Sequence, residues 1–174
     1  YALKAMQIIH SLDQQTFLRA RDFLNKAIEE DPHFSMAVAW AARWHSLYVG
    51  QGWSANPNAD SVKAIELAAR AIELDNENAL ALATFGHLKS FLFHEYDGAL
   101  IYLDRALAAC PNHSLAWILS SATLSYIGDA REAVNRAEHA LRLSPFDQSL
   151  FTYYMFLNLA YYAKGEYEES VKWG

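Results

Sequence analysis

Arg43 and His87 are the side chains whose types and positions come nearest to a binding site in this sequence. Internal repetition, set out below, puts them at equivalent places on two successive helices, so they should project side by side, ~8–10 Å apart. A guanidinium beside an imidazole could receive a carboxylate, either a chain terminus or an acidic side chain. Alternatively, Arg43 pairs with an internal Glu and His87 hydrogen-bonds a neighbour, in which case both are structural. Other reactive groupings are sparse. Of the seven histidines, no two have the i, i+4 spacing of a helical zinc site, and no HExxH occurs. His10, His33, His94, His113 and His139 are expected near helix ends or on solvated faces. Cys110 is the single cysteine, so neither an internal disulfide nor a thiolate cluster can form. Standing before Pro111, it reads as a packed small residue. There is no G-x-S-x-G and no phosphate-cradling glycine loop. We therefore expect no catalytic, cofactor or metal site, and no enzyme activity in this segment.

Bulk composition narrows the partners. The 174 residues are 53% hydrophobic and 20% charged, with a formal net charge of -6. Such a chain packs a core, and it lacks the basic field that holds a phosphate backbone or an anionic membrane surface. Nucleic acid and membrane are thus not expected partners, and an RNA-binding repeat is disfavoured. The longest run without Asp, Glu, Lys, Arg or His, 148–163, is short and broken by Gln148, Ser149, Thr152 and Asn158. One cysteine and no leader pattern at the start suggest the cytoplasm. A start without Met and a stop at Trp173-Gly174, in mid-pattern, suggest a segment of a longer protein.

The elements that must position Arg43 and His87 come from repetition. Ala27-Ile-Glu-Glu-Asp-Pro32, Ala71-Ile-Glu-Leu-Asp-Asn76, Ala106-Leu-Ala-Ala-Cys-Pro111 and Ala140-Leu-Arg-Leu-Ser-Pro145 are four versions of one helix ending. They begin at 27, 71, 106 and 140, so the intervals are 44, 35 and 34 residues. Seven residues upstream of each stand Ala20, Ala64, Ala99 and Ala133. Two helical turns separate each pair, which puts both alanines on one face where a partner helix can come close. The spacing predicts helices at about 2–12, 14–30, 33–49, 60–74, 77–93, 96–109, 112–127, 130–143, 147–163 and 166 to the end. Asp60 is expected to cap the fourth helix, and Asp129 with Glu132 to form a capping box on the eighth.

This pattern resembles the tetratricopeptide repeat (TPR) family, with its 34-residue unit of W-x2-L-G-x2-Y, A-x3-F and a closing P. Trp117, Ala133 and Pro145 match in the unit from 114. Phe85-Gly86, Ala99, Leu103, Ala106 and Pro111 match in the unit from 79. The resemblance implies an all-α, right-handed α-solenoid of about five helix pairs. The units would span about 1–34, 35–78, 79–113, 114–147 and an incomplete 148–174, in a single domain. It also implies a non-catalytic protein or peptide partner, held in a concave groove lined by Met36, Trp40, Arg43, Leu47, Leu80, Thr84, His87, Phe91, Leu115, Leu119 and Tyr126. The carboxylate-clamp pattern of some family members is missing, since Ala5, Ile9, Ala39 and Ala83 stand on the corresponding first helices. In style, the long second-unit insertion at 50–60 and the transition at 143–151 are similar to repeat regions of bacterial class III adenylate cyclases and winged-helix transcription activators, where such a segment senses or assembles.

Two further expectations concern aromatic residues. Trp53, in the insertion, either folds over the groove rim as a loop contact or tucks back to anchor its loop. The ninth helix, carrying Phe151, Tyr153, Tyr154, Phe156, Tyr161 and Tyr162, is apolar nearly all round, and the C-terminal end is expected to bury Phe151, Tyr154, Phe156, Tyr161 and Tyr162 by self-association or against sequence outside these residues. Trp117 is expected in the core of its unit.

Overall fold

Alanines seven residues apart decide how this chain packs. Ala64 with Ala71, Ala99 with Ala106 and Ala133 with Ala140 are all fully buried, and Ala20 with Ala27 nearly so. The computed structural model describes residues 1–174 and contains ten helices without strands: α1 (Ala2–Ile8), α2 (Gln14–Glu30), α3 (Ser35–Gly50), α4 (Pro57–Leu74), α5 (Ala79–Phe93), α6 (Tyr96–Ala109), α7 (Ser114–Ile127), α8 (Ala130–Leu143), α9 (Leu150–Lys164) and α10 (Tyr167–Trp173). Each odd-numbered helix pairs with the next even-numbered one, and α3, α5, α7 and α9 also pack on one another in a row. The architecture is an α-solenoid of five stacked hairpins.

The two rows of helices are buried differently. On α8 only Ala133, Val134, Ala137 and Ala140 are buried, a single stripe, whereas α7 buries Ala116 and every residue from Ile118 to Ser125. A helix buried all round must be covered on several sides, and small residues let its neighbours approach. Gly86 of α5 marks the closest approach: a Cβ there would lie 2.8 Å from the Ala99 carbonyl oxygen and 2.9 Å from Leu103 Cγ. One repeat later Ser121 fills the equivalent space, its hydroxyl donating to the Ala133 carbonyl at 2.7 Å.

Helix ends follow ordinary chemistry, though not always at the expected residues. The side chains of Asp13, Asn56, Asn78 and His113 accept N–H groups of Thr16, Ala59, Ala81 and Ala116. Gly128 and Gly165 close α7 and α9 with φ of 84° and 83°, a left-handed turn that glycine enters without steric cost. Asp60 is not a cap. Helix α4 begins earlier, at Pro57, whose missing N–H costs nothing in a first turn, and Asp60 instead accepts from His45 (2.8 Å) and Ser54. Asp129 makes no side-chain cap bond either, and Glu132, the other half of the expected box, instead accepts from Arg136 at 3.0 Å. Helix α1 stops at Ile8, and α9 starts only at Leu150, since Asp147 accepts the N–H and hydroxyl of Ser149 in a turn.

The largest apolar cluster joins α5 to α9 through Leu82, Leu103, Ile118, Leu119, Tyr153 and Leu157, and another joins α1, α2 and α3 through Ile9, Phe17, Leu24 and Trp44. The Trp44 indole N–H donates to the Phe17 carbonyl at 3.0 Å, inside the core. Trp53 tucks back: its ring meets Phe17 edge-on at 5.1 Å, which anchors the 51–56 link to the first hairpin. Trp117 is half-buried and not a core residue. Its N–H donates to the Pro111 carbonyl at 2.7 Å and its ring meets His139 at 4.6 Å, on the flank of the stack.

Candidate ligand-binding groove

The inner wall formed by α3, α5, α7 and α9 is not open along its length. Phe156 of α9 reaches over its middle, where its ring meets His87 edge-on at 5.6 Å, and His87 in turn stacks on Phe91 at 5.5 Å. Two recesses remain. One, of about 660 Å³, lies at the N-terminal ends of the first helices. Met36, Trp40, Leu80 and Leu115 make its apolar floor, and Asp75, Glu77 and Asp147 are its acidic residues. Met6 and His10 from the first hairpin line the same space as Gln148 and Ser149, so the two ends of the solenoid curl toward one another.

The second recess, of about 380 Å³, lies beyond the Phe156 bridge. Arg43, Leu47, His87, Phe91 and Tyr126 line it from α3, α5 and α7, and α9 adds Phe151, Met155, Phe156 and Leu159. Arg43 and His87 therefore share one cavity. The internal Glu foreseen for Arg43 is absent: no ion pair of the chain includes it, and its Nε is buried without a hydrogen-bond partner. His87 Nδ1 is likewise buried and unpaired, so the expected bond to a neighbour is absent there too.

Of the residues expected in the groove, Met36, Trp40, Leu80 and Leu115 line the first recess, and Arg43, Leu47, His87, Phe91 and Tyr126 the second. Thr84 and Leu119 are fully buried and line neither, because α5, α7 and α9 pack too closely there to leave space. Asp147 and Tyr153 are inner-surface residues that the repeat pattern does not mark. Their only signal is an acid four residues before an aromatic run, and the chain must curl before that places them.

Burial governs the electrostatics. Arg43 is 2% exposed, and desolvation holds its guanidinium down to about 10, with Tyr153 and Asp147 pulling the other way. His87 is lowered to about 3 by burial and then by Arg43. Burial, followed by Arg43, lowers His10 to about 4 against the pull of Asp147. Both imidazoles are thus neutral at neutral pH, and His10 is not the solvated residue expected. His113, also shifted down by burial, serves as a cap. Asp147 stays below the usual carboxylate range. Burial is its largest single influence and opposes this, but hydrogen bonds from Ser149, Ser144 and Tyr153 together prevail.

The ninth helix is largely absorbed within the chain. Phe156 is 6% exposed and faces the groove, and the Tyr161 hydroxyl donates to Glu138 at 2.7 Å. Helix α10 covers another side. Trp173 packs on Tyr154 at 5.4 Å, and Asn158 and Ser170 exchange two hydrogen bonds, of 2.8 and 3.1 Å. Phe151, Tyr154 and Tyr162 keep exposed surface.

No protein-family model and no curated protein matches the chain. Solved structures do. A thermophilic TPR protein of Thermus thermophilus superposes with a TM-score of 0.75 over 99% of this chain and 85% of its own, at 15% identity. PilW, a type IV pilus biogenesis factor, gives 0.68 over 99% and 72%, at 18% identity. YrrB, described as a TPR protein with an unusual peptide-binding site, gives 0.52 over 89% and 73%, at 21% identity. At these identities the likeness establishes the fold, which is that of stacked TPR hairpins. No helix is long and apolar enough to cross a membrane.

Proposed function

We propose that this chain is a non-catalytic protein-interaction module that holds a segment of a partner, or of its own parent chain, in the 660 Å³ recess. The observation that carries this reading is an apolar floor supplied by three successive first helices, beside Asp75, Glu77 and Asp147. Burial of apolar area drives association, and the carboxylates select register and charge. The Trp40 Nε1 and His10 Nδ1 atoms, both buried without partners, add polar sites on the same inner face. The preferred ligand is therefore an extended or helical segment with large apolar side chains and at least one Lys or Arg. YrrB supports the reading as a fold relative whose description includes a peptide-binding site. Within a longer parent such a module would act as a sensor or assembly element, as in the cyclases and activators it resembles in style.

A peptide array of apolar-basic, apolar-acidic and polar segments tests this. Apolar-basic peptides should bind, and Met36→Glu with Leu115→Glu should weaken them at least ~10-fold while circular dichroism stays unchanged. Preference for acidic peptides, or an unaffected double variant, would overturn the proposal. Self-association is a second use of the surface, motivated by Tyr154, Tyr162, Tyr167 and Val171, which are 37–77% exposed at the C-terminal end. Sedimentation at high concentration should show a dimer that Tyr162→Glu dissolves, and a strict monomer would sink this idea.

A further inference from the structure

All the buried side-chain polar atoms that lack a hydrogen-bond partner, those of His10, Trp40, Arg43, Thr84 and His87, come from α3, α5 or the link that follows α1. An unpaired buried polar group is costly and an unpaired buried charge more so, and folded chains seldom gather them in one place without use for them. Arg43 is the extreme case. Its guanidinium lines the 380 Å³ cavity, where it is the one formally charged side chain. Neither Asp nor Glu is present in that lining, and His87 beside it is neutral at neutral pH. Asp147 acts on this charge only through space: it makes no ion pair with Arg43 and its oxygens are engaged by Ser144, Ser149 and Tyr153. Phe91, Phe151, Met155, Phe156 and Leu159 give the wall its large apolar part, and Ser46, Gln51, Thr152 and Asn158 are its uncharged polar residues.

A cavity with one cation lacking a direct partner and with Phe91, Phe151 and Phe156 in its wall, of a volume within the ~300–1,000 Å³ range of small-molecule sites, specifies its ligand's chemistry. We propose that it binds a small amphipathic monocarboxylate, with the carboxylate on the Arg43 guanidinium and the apolar body among Phe91, Phe151, Met155 and Phe156. An Arg fork matches a carboxylate through two parallel N–H···O bonds, and exclusion of water strengthens both. Since α9 forms one wall and also carries Tyr153 into the other recess, occupation would brace the contact that separates the two. This site goes beyond the partner-binding recess and does not depend on it.

The test is thermal unfolding and calorimetry of the whole chain with octanoate and 4-phenylbutyrate, against acetate, 4-phenylbutyramide, chloride, and a peptide ending in Leu-Phe with a free carboxylate. The two amphipathic acids should raise Tm by ~5 °C at a hundredfold excess over Kd, and acetate and the amide should not. Arg43→Met should fold and lose the preference for acid over amide. Gly50→Leu offers a second variant that spares Arg43: Gly50 lines the cavity and a Cβ there meets nothing within 4 Å, so a leucine fills the space without disturbing the fold. It should abolish the shift. Equal response to acid and amide, an acid preference that survives Arg43→Met, a shift from chloride alone, or binding of the peptide but of neither small acid would each overturn the assignment.

Discussion

Gly86→Ala probes the closest approach in the solenoid. The new methyl would stand 2.8 Å from the Ala99 carbonyl oxygen, 2.9 Å from Leu103 Cγ and 3.3 Å from the Leu103 nitrogen. Two of these three atoms are backbone of α6, so the contact is relieved only if α5 and α6 move apart. That shift would also loosen Phe85 on Tyr102, whose rings are 4.6 Å apart. Overpacking by a methyl costs ~1–3 kcal/mol. Replacing glycine by alanine inside a helix returns ~0.5–1 kcal/mol. The expected net loss is ~1–2 kcal/mol, or roughly 2–8 °C in Tm for a chain of this size. Gly98→Ala is the control: its Cβ would meet only Lys89 Cε at 2.9 Å and Nζ at 3.8 Å, the end of a flexible chain that can swing aside. That variant should be neutral or gain ~0.5 kcal/mol. Urea unfolding followed by circular dichroism gives both numbers, with an unchanged m-value showing that the unfolded states are comparable. A Gly86→Ala protein as stable as Gly98→Ala would refute the close α5–α6 contact.

Trp44→Ala, which deletes a 1%-exposed indole and its bond to the Phe17 carbonyl, should cost ~3–5 kcal/mol, whereas half-buried Trp117→Ala should cost ~2 kcal/mol. Denaturant titration that ranked them in the reverse order would contradict the burial described. Trp53→Ala should lower Tm while leaving peptide affinity unchanged, because the ring packs on Phe17 and lines neither inner recess; calorimetry with any bound peptide checks the second half. Acid should destabilise the fold early. His87 and His10 are lowered from 6.5 to about 3 and about 4, so between those values the unfolded chain binds protons that the native one refuses. Their contribution is complete above 6.5 and is lost as pH falls toward 4, at ~1 kcal/mol per pH unit for each imidazole. His87→Leu should flatten the dependence of Tm on pH across that window, and an unchanged slope would refute the buried neutral imidazole.

The repeat was legible in one dimension. Ala64 and Ala71, Ala99 and Ala106, and Ala133 and Ala140 are separated by two helical turns, so the chain states which face each second helix buries before any tertiary contact is known. Prolines and Gly128 mark ends for the same local reason. Capping was less legible: Asn56 and Asp60, or Asp13 and Asp129, offer similar oxygens, and the winner depends on which other donors come within reach. Asp60 went to His45 across two helices, a choice no local rule contains.

The groove shows the same division more sharply. That Arg43 and His87 share a face of neighbouring helices followed from their places in the repeat. That Phe156 would close over them, that Thr84 and Leu119 would vanish into the core, and that no carboxylate would reach Arg43 did not. Sequence alone determined the helices, their small-residue faces and their stacking order, because those depend on periodicities within one or two turns. Tertiary structure decided where the inner surface stays open and where it is sealed, because that depends on a small rotation at each hairpin which accumulates over five of them until α9 faces α3.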